Sequence, residues 1–446
     1  KNAQAILTKN ILDTCASCMG FFIFGYAIGF GDDITSFRFY FGNDLEQEGQ
    51  VSKWILMYAF VSTCTTIVSG VVADRVQIKY YIFFSFAMSA FICPVGLAWT
   101  WGNGWLDDMG FVDFAGSMVI HGVGGFSGLA ATILLGPRIH FFDRNSAGKV
   151  ASEDAENSAS SGGSIRQKPE AELMSKIHAD LAEGKNPLDM EKPSSMQRLR
   201  KVTQIIKRDI ETEFRPHEIS LIVLGTFILW TGWLLFNASS IGRLHGNNIN
   251  RAARALINTI LSGSTGGLLS FFFKAKLIST SNDKRSKVTA VCNGIFAGIV
   301  SITANCDSIQ LWASLIISGL GVFLYIMACK VALVYRIDDP LEASMIHGVC
   351  GAWGVLATAF FHTEKGLFYG GGLEFLGVQM LGVLVLSAWT IVMSGFFFYV
   401  SLRMGMRVSQ REEIWGSDYF SYMRVNGIDP DKLRKKKLQQ SVIRKQ

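Results

Sequence analysis

The sequence predicts an all-α fold, a polytopic membrane helix bundle. Three observations predict it. Apolar residues make up 49% of the 446 residues and charged residues only 17%, well under the roughly one quarter usual in soluble domains. The apolar residues gather in blocks of about 20, the length that spans a bilayer core as a helix. Stretches such as LGVLVLSAWTIVMSGFFFYV (381–400) leave no polar face at helical period, as a soluble helix requires.

Ten such blocks are legible, at 11–31, 52–73, 80–101, 113–136, 217–238, 252–273, 288–304, 309–329, 342–361 and 373–402. Lys and Arg in the short connections set the predicted orientation. Arg75 and Lys79 lie between the second and third blocks. Lys274, Lys276, Lys284, Arg285 and Lys287 lie between the sixth and seventh, and Lys330 and Arg336 follow the eighth. These connections are expected on the cytoplasmic side. Segments 102–112 and 305–308 carry no Lys or Arg and are expected outside, with Arg243 and Arg251 in 239–251 a weak exception. Ten spans then put both visible termini in the cytoplasm, with the plasma membrane the expected location. Most of the net charge of +6 belongs to the cytoplasmic regions. It suits contact with membrane lipid and not with nucleic acid.

Four regions follow: transmembrane spans in 1–139, a cytoplasmic polar insertion at 140–216, further spans in 217–403, and a basic cytoplasmic tail at 404–446. The insertion is Ser-rich and charged, as in ASEDAENSASSGGS (151–164), and is expected to be partly disordered. Within it, 169–184 and 194–215 carry helical stripes. The second has a basic face that fits a membrane surface, a cytoplasmic regulator or a plain linker helix. The tail ends in DKLRKKKLQQSVIRKQ (431–446). All eight cysteines fall in or beside apolar blocks. Cys15 and Cys18 form a C-x-x-C with no second pair to complete a metal site, so they are read as small buried residues. No cleavable signal peptide is visible, and the chain starts at Lys1 without an initiator Met, which leaves room for sequence upstream.

The most informative pattern is doubled. DFAGSMVIHGVGGFSGL (113–129) and DPLEASMIHGVCGAWGV (339–355) each place a histidine eight residues after an aspartate, with small residues following. In the predicted topology the two segments cross the membrane in opposite directions, the mark of an inverted repeat whose pathway lies at the repeat interface. Eight residues rise roughly 12 Å along a helix, so His121 and His347 are both expected near the midplane. Glycines 122, 124, 125, 348 and 351 are expected to let the two helices approach. Ionisable groups at such depth point to function. Two facing imidazoles can share one hydrogen and still offer polar edges to a small guest. An ion fits less well, because no ring of carboxylates or carbonyls is evident to replace its hydration shell. For a metal, Asp113 and Glu342 are ambiguous third ligands at best. Aromatic residues gather at the predicted outer end, in AWTWGNGW (98–105), at Phe60 and in WLLFNASS (233–240). Their faces can hold a small cation.

These residues resemble the ammonium transporter family (Amt/Mep/Rh), nearest its plant-type branch. The resemblance runs from about residue 9 to about 422 outside the insertion. It is carried by DFAGS, LLGPR, WTGWLLFN, ITANC and DDPLEASMIHGVCGAWG together. It implies the inverted-repeat ammonium transporter fold and conduction of ammonia, with or without its proton, through an apolar pore. Trp101 and Ser240, with Phe60 beneath them, then match the ammonium recruitment site. Asp113 matches a carboxylate beside it that holds local structure and aids deprotonation. Phe60 and Phe236 match a stacked gate, and His121 and His347 the twin histidines of the conduit. Trp233 and Thr303 match further pore positions. The resemblance also implies a homotrimer with one pore per subunit and no cofactor or metal.

Three departures stand out. The family has eleven spans and ten are visible here, with KNAQAILTKNILD resembling the loop before the family's second span. The insertion replaces a short loop. REEIWGSDYFSY (411–422) resembles the start and end of the family's regulatory tail without the piece between, so coupled gating between subunits does not carry over. Two rival functions share the fold, an ammonium sensor signalling through the insertion and tail, and a structural subunit with a fossil pore. An enzyme is excluded by the lack of a nucleophile–base pair or metal triad.

Overall fold

The computed structural model describes residues 2–31, 38–139, 141–142, 218–242, 245–277 and 284–426. The stripes at 169–184 and 194–215, Arg243 and the basic stretch 431–446 lie outside the described residues. The chain divides into two compact units, Lys1–Ile139 with Glu218–Gln446, and His140–His217. In the second, only Phe141 and Phe142 are described, with their rings edge to face at 5.0 Å.

The first unit is helical, and among the described residues the only β pairing is an isolated bridge between Val76 and Arg407. Its long helices are α1 (Ala3–Phe30), α2 (Gln50–Val71), α3 (Ile78–Asp108, broken at 101–104), α4 (Ser117–Leu135) and α5 (Ile219–Ser239). They continue as α6 (Asn247–Leu277), α7 (Lys284–Ile302), α8 (Leu311–Val334), α9 (Ser344–Phe361) and α10 (Leu373–Arg403). Two short helices close the described chain, α11 (Gln410–Trp415) and α12 (Ser417–Val425). Among the described residues nine helices are long and apolar enough to cross a membrane, and α7 supplies a shorter apolar stretch at Lys287–Ile302. Each of the ten apolar blocks is thus a helix.

The helices carry large apolar side chains on their outer faces as well as in the core. α5 exposes Leu221, Leu224, Phe227, Ile228 and Leu235, and α10 exposes Leu384, Val392 and Phe396. Contiguous apolar surface of this kind suits hydrocarbon, not water. The chain is an integral membrane protein. Polar side chains such as Asp13, Ser85, Asn258 and Gln379 are buried between helices beside the apolar core.

Two expectations about α1 need correction. KNAQAILTKNILD is helix, not loop, because α1 starts at Ala3. Its polar residues find partners inside the bundle. Asp13 accepts hydrogen bonds from Ser85 and from Thr66 Oγ1 (2.8 Å), and Asn10 accepts one from Ser69 (2.9 Å). The carboxylate of Asp418 accepts from the free N–H groups of Gln4 and Ala5, both at 2.8 Å, which completes the first turn. Cys15 and Cys18 are likewise not buried together. Cys15 is exposed and Cys18 half-buried, whereas the other six cysteines are buried. The reason is the helical period. Cys15 falls on an outward stripe with Leu7, Ile11, Met19 and Phe22.

α4 and α9 form the centre. In their apolar windows 78% and 67% of residues are buried, against 11% for α5, so these two are core and α5 is periphery. They cross antiparallel. Ser117 Oγ donates to Gly351 O (3.1 Å) at one end, and Thr132 Oγ1 donates to Asp338 O (2.6 Å) at the other. Between them Gly125 lies on Gly348, and a Cβ on Gly125 would come within 2.1 Å of the Gly348 nitrogen. A Cβ on Gly351 would come within 2.4 Å of Ser117 O. Gly122 lies in this crossing, since the same Cβ on Gly351 would also come within 2.9 Å of the Gly122 nitrogen, whereas Gly124 does not serve it as expected: a Cβ there would meet Cys64 O of α2 at 2.9 Å.

Candidate functional site

Both histidines sit in the first turn or two of a helix capped by the aspartate eight residues earlier. The Asp113 carboxylate accepts from four successive backbone N–H groups, those of Gly116, Ser117, Met118 and Val119, at 2.7–3.1 Å. Asp339 accepts from Ser344 N at 2.7 Å and Leu341 N at 3.3 Å. A carboxylate at this place neutralises the free donors and the positive end of the helix dipole. Each helix then opens with one over-wide, π-type turn, Ser117–Gly122 and Ser344–Val349. The His121 N–H reaches back five residues to Gly116 O at 3.0 Å. Such turns recur at functional positions because they re-aim side chains.

The result is a column of rings. Trp101, where α3 breaks, has its ring 5.6 Å from that of Phe60 on α2. Phe60 lies 4.3 Å from Phe236 on α5, Phe236 lies 5.5 Å from His121, and His121 lies 5.3 Å from His347. Trp233, one turn before Phe236, flanks the column. Its ring is 4.6 Å from His121 and is parallel to His347 within 3° at 6.2 Å. The indole is fixed at its edge by Nε1–H donating to Thr303 Oγ1 (3.3 Å). The Trp101 indole N–H donates to Asp113 O at 3.0 Å, which ties the aromatic end to the α4 cap.

The structure therefore brings Trp101, Phe60, Phe236, His121 and His347 from five helices into one column, with Trp233 and Thr303 beside it. Two of the expected site residues touch it less directly. Ser240 directly follows α5, one turn past Phe236, and its hydroxyl donates back to Phe236 O at 3.1 Å. Asp113 is 4% exposed and meets Trp101 through its carbonyl, while its carboxylate is spent on the helix start.

The imidazoles do not share a hydrogen. Their planes are 26° apart at 5.3 Å, a stacked arrangement that Trp233 imposes by lying against both. Both ring nitrogens of His121 and Nδ1 of His347 are buried without a hydrogen-bond partner. Unpaired buried polar atoms are costly and rare. The two ambiguous metal ligands are engaged elsewhere, Asp113 by backbone N–H groups and Glu342 by Lys274, Tyr325 and Asn293.

Sequence reasoning missed Phe296 of α7, whose ring lies 6.1 Å from Trp233 and within 21° of its plane. It also missed Ser117, which joins α4 to Val300 O (2.7 Å) and Gly351 O. Phe296 belongs to no motif, whereas Ser117 closes DFAGS. The repeated Ser-Met before each histidine was the available signal for Ser117.

The sequence profile described as the Ammonium Transporter Family matches residues 1–156 and 198–426. The chain belongs to the Ammonium Transporter Family. Within it, this member is 30% identical over 467 residues to ammonium transporter 1 member 1 of Arabidopsis thaliana, covering 95% of this chain and 79% of that protein. It is 30% identical over 429 residues to a putative ammonium transporter of Synechocystis, covering 94% and 80%. These relatives are named as transporters, not enzymes. A solved structure called Sensor Amt Protein superposes with a TM-score of 0.70 at 27% identity, over 93% of this chain and 89% of that one. Mep2 of Saccharomyces cerevisiae superposes with a TM-score of 0.65 at 19% identity, over 89% and 77%, a likeness of fold.

Proposed function

We propose that this member of the family transports ammonium and methylammonium by passing ammonia, with or without its proton, along the column from Trp101 to His347. The observation that carries the reading is the unpartnered polar edge of His121, set between the Phe60–Phe236 pair and Trp233. An ammonium ion is held at the aromatic mouth by Trp101 and Phe60 through cation–π attraction, with Ser240 and Asp113 completing the mouth. Phe60 and Phe236 close the way below as a gate. Moving the bare ion into an apolar channel costs many kcal/mol, so it gives up a proton before it passes. Beyond the rings, the buried nitrogens of His121 and His347 offer a small neutral amine the hydrogen bonds they lack.

In this reading the Trp101 end faces outside and the Asp338 end the cytoplasm, with both described termini inside. Arg251, the exception in the charge pattern, is paired with Asp307 (Nε at 3.1 Å), which supports that assignment. The plasma membrane is the proposed location. The apolar outer face of α5 supports a homotrimer, 140–216 is the proposed contact for a cytoplasmic regulator, and no cofactor or metal is required.

The likeness to a protein called a sensor favours a second reading, in which ammonium is bound and reported without being carried. One experiment separates them. Purified chain in liposomes on a supported membrane receives an ammonium jump, beside His121→Ala/His347→Ala. A saturating current or ammonia flux that the double variant loses supports transport. A folded parent with neither overturns it.

A further inference from the structure

A second cluster lies at the far end of the column from Trp101. Glu342 lies two residues before α9, and its carbonyl accepts from Met345 N (3.1 Å) and Ile346 N (2.9 Å), the turn that leads into His347. Its side chain is the meeting point of three other helices. Lys274 of α6 and Tyr325 of α8 both bond its Oε2, and Asn293 of α7 donates to the same oxygen at 2.7 Å. The Lys274 ammonium also bonds the Tyr325 hydroxyl and lies 4.6 Å from the centroid of that ring. Lys274 is 8% exposed and Tyr325 fully buried.

Chemically, this is a primary ammonium held by a carboxylate, a hydroxyl and an aromatic face. Those are the groups that recognise a free ammonium ion. The ammonium happens to be tethered. The backbone of Glu342 is held at φ +58°, a region unfavourable for a residue with a side chain, so the carboxylate is aimed at this place against local preference.

We infer that Glu342, Tyr325 and Asn293 form a second ammonium-binding site at the Asp338 end of the conduit, filled here by the Lys274 side chain, and that free ammonium or methylammonium takes its place when Lys274 is absent. In transport, Lys274 competes with the departing ion and clears the exit. That role rests on the proposed transport reading, but the site itself does not.

The test is thermal unfolding of the purified full chain as parent, Lys274→Ala and Lys274→Ala/Glu342→Gln. Each is measured in ammonium, methylammonium, sodium or tetramethylammonium chloride at equal ionic strength. Lys274→Ala is expected to melt below the parent in sodium. Ammonium and methylammonium are expected to raise its Tm by at least about 2 °C more than they raise the parent's. Tetramethylammonium, which has no N–H to donate, is expected to add nothing, and the double variant is expected to lose the extra rise. Ammonium binding at the aromatic mouth shifts all three proteins alike and drops out of the difference. The inference is overturned if sodium and ammonium act equally on Lys274→Ala, or if the double variant keeps the extra rise. If Lys274→Ala folds only when extracted in ammonium, the inference stands, and if it folds in neither salt it falls. A parent that carries no current but shows the differential shift sinks transport alone. A conducting parent without the shift sinks only the second site.

Discussion

The rings of His121 and His347 face each other at 5.3 Å with neither nitrogen of His121 bonded to anything. Stability alone does not favour this, since a buried polar group without a partner costs about 1–3 kcal/mol. His121→Leu is therefore expected to leave stability unchanged or raise it by up to that amount, while lowering ammonium flux at least about tenfold (roughly 1.4 kcal/mol of barrier). Melting in detergent and flux in liposomes check the two halves separately. A variant that unfolds would show the imidazole to be structural.

Asp113 holds four N–H groups of the α4 start and, through its carbonyl, the Trp101 indole. Asp113→Ala is expected to cost at least about 2 kcal/mol, the upper range for loss of a helix cap, and to disorder the aromatic mouth. Tm and folded yield measure this. A variant of parental stability with lost flux would assign the carboxylate to the substrate instead.

Gly125 has no space for a methyl, whereas Gly232 on α5 meets nothing within 4 Å. Gly125→Ala is expected to force α4 and α9 apart at about 1–3 kcal/mol, with flux falling alongside. Gly232→Ala is expected to be neutral or stabilising by up to about 1 kcal/mol. Equal melting of the two variants would contradict the crossing described here.

The tail is pinned at two places. Glu413 pairs with Arg407 at 3.1 Å and accepts from Ile139 N at 2.8 Å, while Asp418 caps α1. Asp418→Ala is expected to cost about 0.5–2 kcal/mol and to speed proteolytic cleavage in 404–426. Unchanged cleavage would mean that this contact does not hold the tail.

What the sequence determined by itself follows from local rules. Apolar blocks of span length fixed the ten helices, because a bilayer demands length and hydrophobicity of each segment separately. The doubled Asp…His phrase fixed the two central helices, their opposite sense and the meeting of the imidazoles, because it is written twice in one chain. The tertiary structure decided what depends on partners distant in sequence. The helical start of α1 needed Asp418, Ser69 and Ser85, and nothing within 1–13 announces them. The stacking of the histidines needed Trp233, held in turn beside Phe296 of α7 and Thr303 just past its end. The union of Lys274 with Glu342 joins residues that read locally as a loop charge and an ambiguous ligand. Spacing along the chain says which side chains share a helix, but only packing says whose polar groups remain unpaired once the helices close.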